Sequence, residues 1–233
     1  MEERSRLELL LNDEQLNKLA NMTVMIFGLG GVGSYSCEAI ARMFPKKMIL
    51  VDNDTYSISN INRQLYATHK TLGLSKVEVA KDKIKSIYEN IEVQTYNLFL
   101  DKDTINEIDF RNVDFIIDAI DTMESKVLII KKAKELNINI ISSMGTGNKL
   151  HPELLEITDI SKTSVCPMAK KMRKLLKEEG INHLDVVYSK EEPINPYKDT
   201  QEKFKRVPGS TSFTPSVAGL LIASHVFNKI IEK

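Results

Sequence analysis

Val24-Met-Ile-Phe-Gly28-Leu-Gly30-Gly31-Val-Gly33 is the stretch on which the fold turns. Its four apolar residues predict a buried strand, its glycines a tight turn, and Ser34 to Arg42 behind them a helix. A glycine-rich turn between strand and helix lets a phosphate approach the backbone, and the helix N-terminus favours negative charge. The stretch therefore predicts a nucleotide site. Which nucleotide, and for which reaction, depends on what surrounds it.

Downstream, Pro45 closes the first helix and Lys47 to Val51 reads as a second strand ending at Asp52-Asn53-Asp54. Ser57 to Leu65 is polar and loop-like, and Lys76 to Asn90 carries Val77, Val79, Ala80, Ile84 and Ile87 at helical spacing. Glu92 to Tyr96, Val113 to Asp118 and Asn139 to Ser143 read as three more strands, with a helix over Glu124 to Leu136. Glycines recur after the fifth strand, in Met144-Gly-Thr-Gly147. Upstream, Arg4 to Ala20 predicts one or two short helices, with a break and a cap at Asn12-Asp13.

Beyond Leu150 the rhythm changes. The strand-like runs Leu154 to Ile157 and Val186 to Tyr188 flank a basic helix, Pro167 to Glu179, and a Pro/Gly/Ser/Thr-rich stretch from Val207 to Pro215 precedes the final helix. Alternating strands and helices predict an α/β, Rossmann-like, doubly wound and mostly parallel sheet. With no internal repeat and no linker, one domain over residues 1–233 is expected, with residues 1–149 as its nucleotide-binding half. Ligands bind such sheets at the carboxyl ends of the strands, which would gather Gly28 to Gly33, Asp52, Asp54, Asp118, Asp121 and Gly145 along one edge.

Composition narrows the setting. The 32 basic and 32 acidic side chains balance, so there is no global basic field for coating nucleic acid, although a local patch is compatible with that balance. Two cysteines, Cys37 and Cys166, are too few for a disulfide scaffold or a four-cysteine zinc site, and they favour a reducing compartment. The segment from Met1 to Asn12 is charged and unlike a signal peptide. The apolar run Val217 to Phe227 is shorter than the roughly 20 residues of a spanning helix. A soluble, cytoplasmic protein without stable membrane insertion is expected.

Asp52, at the end of the second strand, suits a ribose hydroxyl of either NAD or ATP. Ser59-Asn60-Ile61-Asn62-Arg63-Gln64 then places an arginine among amides, and Lys76 opens the next helix. Two fixed cations there would neutralise a triphosphate, or the charge that builds as pyrophosphate leaves an α-phosphorus. Asp118-Ala-Ile-Asp121 adds paired carboxylates, one of which could hold Mg²⁺ against phosphate oxygens or cap the helix near Glu124. Singly, Arg63 and Lys76 are ordinary surface cations. The ordered set carries the reading: the glycine turn, Asp52-x-Asp54, Asn60-x-Asn62-Arg63-Gln64, Gly73-Leu-Ser-Lys76 and Asp118-x-x-Asp121.

That set resembles the adenylyltransferase superfamily that activates ubiquitin-like proteins, typified by the ThiF and MoeB sulfur-carrier activators, over roughly residues 4 to 147. The resemblance implies ATP held by Gly28, Gly30, Gly31, Gly33, Asp52, Asp54, Ser59, Asn60, Asn62, Gln64 and Thr122, with Arg63 and Lys76 on its phosphates. It implies Mg²⁺ on Asp121, a homodimer, and Arg6 reaching into the partner subunit's site. Relatives of that kind usually carry two C-x-x-C pairs for zinc, and this chain has none. Ile160-Ser-Lys-Thr-Ser-Val-Cys166-Pro, Val187-Tyr-Ser-Lys-Glu191 and Phe213-Thr-Pro-Ser-Val-Ala-Gly219 instead resemble the branch of tRNA threonylcarbamoyladenosine dehydratases.

That branch implies ATP-dependent cyclisation of threonylcarbamoyladenosine beside a tRNA anticodon, with residues 150–233 forming the tRNA-binding and dimer half. It also admits a monovalent cation and a sulfur-relay protein as partner. Lys170, Lys171, Arg173, Lys174 and Lys177 on the basic helix become candidates for tRNA backbone contact. Cys166, before a proline at a helix start, could be a low-pKa nucleophile, but cyclisation through an adenylate needs no covalent enzyme intermediate and a supporting role is favoured. Cys37 reads as core. His69 falls near the nucleotide loop, and His151, His183 and His225 lack metal-like spacing. Three rivals stay open at this point: an activator of a small protein ending in Gly-Gly, an NAD-binding oxidoreductase, and a non-catalytic nucleotide-binding scaffold.

Overall fold

The strand before the glycine turn, β1 (Thr23–Phe27), is buried along its full length and lies in the interior of the sheet. The computed structural model describes residues 3–195 and 208–232. In it β1 pairs in parallel with β2 (Lys47–Val51) on one side and β4 (Phe115–Asp118) on the other. Outside these lie β3 (Glu92–Tyr96) and β5 (Asn139–Ser143), also parallel. The last two strands leave chain order: β7 (Asp185–Ser189) pairs in parallel with β5, and β6 (Leu155–Asp159) closes the edge antiparallel to β7. The mostly parallel, doubly wound sheet is thus as expected from the sequence, with one antiparallel edge.

Side chains alternate across each strand, so the sheet sorts its apolar residues into two layers. Val24, Ile26, Met48 and Leu50 face α2 (Gly33–Ala41), α3 (Lys76–Ile87) and α6 (Thr214–Ile231). Met25, Phe27, Ile49 and Val51 face α4 (Met123–Glu135) and α5 (Pro167–Glu178). The Val217 to Phe227 run belongs to α6, packed on the first layer, and among the described residues no helix is long and apolar enough to cross a membrane. Of the stretch from Val207 to Pro215, Val207 lies outside the described residues.

The motif Phe213 to Gly219 has a steric task. A Cβ at Gly219 would stand 2.4 Å from the Val32 carbonyl oxygen, and Ser36 Oγ donates to the Gly219 carbonyl at 3.0 Å. This close crossing fixes α6 against the start of α2, directly behind the glycine turn. Gly219→Ala should force the two helices apart and cost about 1–3 kcal/mol. Thermal unfolding checks the loss, and nucleotide titration should show weaker binding because α2 carries the turn.

Three expected boundaries shift for local reasons. Arg4 to Leu10 forms turns, with the Leu7 and Glu8 N–H groups donating to the Arg4 carbonyl, and the helix α1 (Asp13–Asn21) starts only after Asn12. There Asn12 Oδ1 accepts from Gln15 N at 2.9 Å and Gln15 Oε1 accepts from Asn12 N at 3.2 Å, a capping box. The third helix ends at Ile87 because Tyr88 turns extended and sets its ring edge-on to Phe44 at 5.2 Å, with the Arg4 guanidinium over both rings. The fourth strand begins at Phe115, after Asp114 has turned its carboxylate onto the Thr23 N–H at 2.8 Å.

Candidate active site

The carboxyl ends of β1, β2, β4 and β5 open into a cleft of about 770 Å³. The glycine turn forms its floor at the point where the winding reverses, between β1 and β4. Gly28 sits at φ +84°, and a Cβ there would stand 2.7 Å from the Ala119 carbonyl oxygen. A Cβ at Gly33 would meet the Gly28 carbonyl oxygen at 1.8 Å, so this glycine lets the turn close rather than lining the cleft. Gly30 and Gly31 do line it, and Pro215 closes over Gly31 from the C-terminal motif.

After β2, the Asp52 carboxylate accepts from Leu29 N at 2.6 Å and from Asp54 N at 2.8 Å, tying the nucleotide loop to the glycine turn. Burial pushes its pKa up, opposed by the Lys76 ammonium and those two N–H groups. Lys76, buried at the first position of α3, donates from Nζ to Asp54 Oδ2 at 2.7 Å and lies 4.0 Å from Asp52 Oδ1. Arg63 lines the cleft and is braced from behind, Nη1 donating to the Ser59 carbonyl at 2.8 Å and to Asn62 Oδ1 at 2.9 Å.

Ser59 and Asn62 therefore stand just outside the cleft and act through Arg63. Asn62 Nδ2 also donates to the Ser210 carbonyl at 3.0 Å. Asn60 lines the cleft, but its Oδ1 accepts from Ser57 N at 3.0 Å within the local 3₁₀ turn. Gln64 also lines it, and is buried with its side-chain oxygen Oε1 lacking any hydrogen-bond partner among the described residues. A glycine cradle and two cations fit the phosphates of a bound nucleotide, and the orphaned acceptor beside them fits a donor such as one of its ribose hydroxyls.

The paired carboxylates after β4 divide into different roles. Asp118 is fully buried and Asp121 exposed. Asp118 Oδ2 accepts from Lys126 Nζ at 2.9 Å and from Ser142 Oγ at 2.6 Å, and Lys126 is itself fully buried. Asp118 is thus a structural anion beneath the floor, neither a metal ligand nor a helix cap. The residue capping α4 is Thr122, whose side chain makes no cap bond. Asp121 and Thr122 both line the cleft, and among the described residues Asp121 makes no side-chain hydrogen bond or ion pair. A single free carboxylate suits Mg²⁺, which keeps several waters and shares phosphate oxygens.

The far wall was legible in the sequence only in part, through Gly145 and Cys166. Gly145 to Lys149, Cys166, Pro167 and Met168 form it, Pro208 to Ser210 cross above, and Leu98 to Leu100 close the end beyond β3. Asn148 and Gly209 exchange two hydrogen bonds, of 2.8 and 2.6 Å, which fasten the crossing segment. Cys166 faces the cleft at the start of α5, whereas Cys37 is core, its thiol pushed up to about 12 by burial. The helix α5 buries Ala169, Met172 and Leu176 and exposes Lys170, Lys171, Lys174 and Lys177. Arg173 folds back, Nη1 donating to the Thr163 carbonyl at 3.0 Å, so it braces the preceding turn. His69 is exposed and does not line the cleft. Arg6 lies outside the cleft, in a separate groove with Leu7, Leu10 and Phe44.

With this geometry in hand, comparison with known proteins is decisive. The model of the ThiF family matches residues 3–233. This chain belongs to the ThiF family. Within it, the chain is 38% identical over 239 residues to the tRNA threonylcarbamoyladenosine dehydratase of Bacillus subtilis, a match covering 98% of this chain and 94% of that protein. The Escherichia coli protein of the same name is 28% identical, over 96% of this chain and 91% of its own. A crystal structure of the E. coli enzyme in complex with ATP superposes on this ThiF-family fold with a TM-score of 0.89 at 27% identity, covering 98% of this chain and 93% of that one.

Proposed function

We propose that the cleft binds ATP and uses it to dehydrate threonylcarbamoyladenosine in tRNA to its cyclic form. The observation that carries this reading is the fit between the cleft and an adenylating site. A glycine cradle, two cations and an orphaned acceptor converge there, in a chain aligned nearly end to end with dehydratases. An NAD-binding oxidoreductase would leave Arg63 and Lys76 without a task, since hydride transfer expels no phosphate group.

The chemistry has two steps. A carboxylate oxygen of the substrate attacks the α-phosphorus, forming an O–P bond while the bond to the β-phosphate oxygen breaks and pyrophosphate leaves. The neighbouring ureido group then attacks the activated carbonyl, loses a proton, and expels AMP with the former carboxylate oxygen. The water lost from the nucleoside thus leaves as an oxygen on AMP and a released proton.

Arg63 and Lys76 sit on rigid supports beside the glycine turn, where they stabilise the charge on the departing pyrophosphate. Mg²⁺, which Asp121 would hold, supplies further neutralisation of phosphate charge. The exposed lysines of α5 (Lys170, Lys171, Lys174 and Lys177) offer the tRNA backbone a cationic face, and Pro167 at the same helix start lines the cleft. In this reading residues 1–149 hold the nucleotide and residues 150–233 receive tRNA, within one domain.

We further propose a homodimer in which Arg6 completes the neighbouring subunit's site. Its support is the N-terminal turn, where Leu9 and Leu10 are three-quarters exposed or more beside Arg6, outside their own cleft. Arg6→Ala and Lys76→Ala homodimers should each be nearly inactive. Mixed and re-equilibrated, they should regain a substantial fraction of wild-type turnover, because one heterodimer site keeps both cations. No recovery under verified exchange would mean that Arg6 acts within its own subunit or not at all.

The function itself is tested with purified protein, ATP–Mg²⁺ and tRNA verified to carry threonylcarbamoyladenosine. Nucleoside mass spectrometry after digestion should show loss of one water together with AMP formation. Unchanged nucleoside under those conditions would overturn the dehydratase reading.

A further inference from the structure

The far wall holds a cation to which the adenylation steps above assign no role. Lys149 lines the cleft with only 3% of its surface exposed. Its Nζ donates to the Glu191 carbonyl oxygen and, among the described residues, makes no other hydrogen bond. The Glu191 carboxylate makes no ion pair with it, acting only at longer range: its oxygens accept from Leu150 N at 2.9 Å and from His151 N at 3.0 Å. No described carboxylate lies within ion-pairing distance of this ammonium. Compare Lys126 and Lys76, the other buried lysines of the region, each of which has an aspartate.

An ammonium carries three donors, and only one of these is taken. Burying it without a direct ion pair is costly, and burial lowers the Lys149 pKa, opposed in part by Cys166 and by the more distant Glu191 charge. Such a group is satisfied by an anion arriving in the cleft. Its position identifies which anion. Lys76 and Asp52 follow β2, whereas Lys149 follows β5, three strand positions away in the sheet order β2-β1-β4-β5. At the usual strand spacing the ends of these two strands lie roughly 14 Å apart, and Lys76 and Lys149 line the one cleft from those two sides.

We propose that Lys149 receives the carboxylate of the nucleoside substrate and aims it at the α-phosphorus, making it the residue that recognises the acid to be activated. The inference rests on the dehydratase reading above and adds to it a substrate-side contact. Glu191 holds the Leu150–His151 backbone and, through its carbonyl, the lysine itself. The end of β7 therefore positions the contact, and Cys166 lies in the same wall.

The test uses RNA anticodon stem-loops carrying threonylcarbamoyladenosine, its methyl ester, or unmodified adenosine, with a non-cleavable ATP analogue present. Wild-type protein should bind the acid at least about tenfold more tightly than the ester, the range of a charge-assisted contact. Lys149→Met should bind acid and ester alike, with ester affinity, ATP-analogue affinity and melting temperature close to wild type, and Lys149→Arg should recover part of the preference. An acid preference that persists in Lys149→Met would overturn the assignment. If that variant fails to fold, Lys149→Gln reads the same preference. Failure of wild type to distinguish the modified stem-loop from unmodified adenosine would instead overturn the dehydratase reading on which the assignment stands.

Discussion

Arg63→Ala should lower turnover by about 10²–10³-fold, the range for removing one fixed donor to developing charge, while leaving the thermal unfolding midpoint unchanged. Its Nη1 is held by the Ser59 carbonyl and Asn62 Oδ1, and both acceptors sit on the exposed side of the loop, where water replaces the guanidinium once it is gone. The core loses nothing, since neither partner becomes a buried orphan. Steady-state kinetics with ATP varied at saturating tRNA separate the outcomes. A variant that keeps most of its turnover and shows only a raised KM for ATP would make Arg63 a ground-state binder, not a stabiliser of the leaving pyrophosphate. Asn62→Ala should follow in the same direction with a smaller loss, because it leaves the guanidinium in place but removes one brace.

The second large effect is on stability. Lys126→Met leaves Asp118 fully buried with no cation, its Oδ2 answered only by Ser142 Oγ at 2.6 Å and its Oδ1 by Ile120 N at 3.3 Å. Removing one partner of a buried pair costs roughly 3–5 kcal/mol, which for a chain of this size lowers the melting temperature by on the order of 10 °C. The double variant Asp118→Asn with Lys126→Met keeps an acceptor for Ser142 and removes the stranded charge. It should be more stable than Lys126→Met alone, and a double variant that is less stable would show that the anion is held by something other than Lys126. The floor of the cleft is coupled to this pair, since Ala119 to Thr122 follow Asp118 directly. Nucleotide binding should weaken in Lys126→Met even at temperatures where it remains folded.

Much of the chain up to Gly147 was legible because its signals are local. A strand that ends in glycines, an aspartate that ends the next strand and a lysine that begins a helix each announce themselves within a few residues. The bounds of β2, β3 and β5 match the sequence reading residue for residue. Gly28, Gly30, Gly31, Asp52, Asp54, Asn60, Arg63, Gln64, Lys76, Asp121 and Thr122 come together in one cleft. What the sequence could not convey depends on contacts between distant segments. Asp118 and Asp121 look equivalent on paper, and only the eight-residue reach to Lys126 on α4 makes one structural and leaves the other free. Asn62 reads as a ligand contact until Ser210, 148 residues away, is seen to accept its hydrogen bond. Arg173 counts as one more cation on a basic helix, yet its guanidinium is spent on Thr163.

Lys149 is the clearest such case. It follows a glycine pair in a stretch without periodicity, and a lone lysine there reads as solvated surface. Its burial comes from Glu191 and Thr214, the latter donating its hydroxyl to the Lys149 carbonyl at 3.2 Å. The insertion of β7 between β5 and β6 brings the first of these into place, and no sequence pattern signals that exchange of strand order.

Activation of a substrate carboxylate as its adenylate in this cleft is tested most directly by oxygen labelling. Modified tRNA whose threonine carboxylate carries heavy oxygen is incubated with the enzyme and ATP–Mg²⁺ in ordinary water, and the products are weighed. The mechanism predicts AMP bearing one heavy oxygen, unlabelled pyrophosphate, and a cyclic nucleoside that keeps the other. Unlabelled AMP alongside cyclised nucleoside, or label appearing in inorganic phosphate, would contradict an acyl-adenylate and with it the role assigned to this cleft.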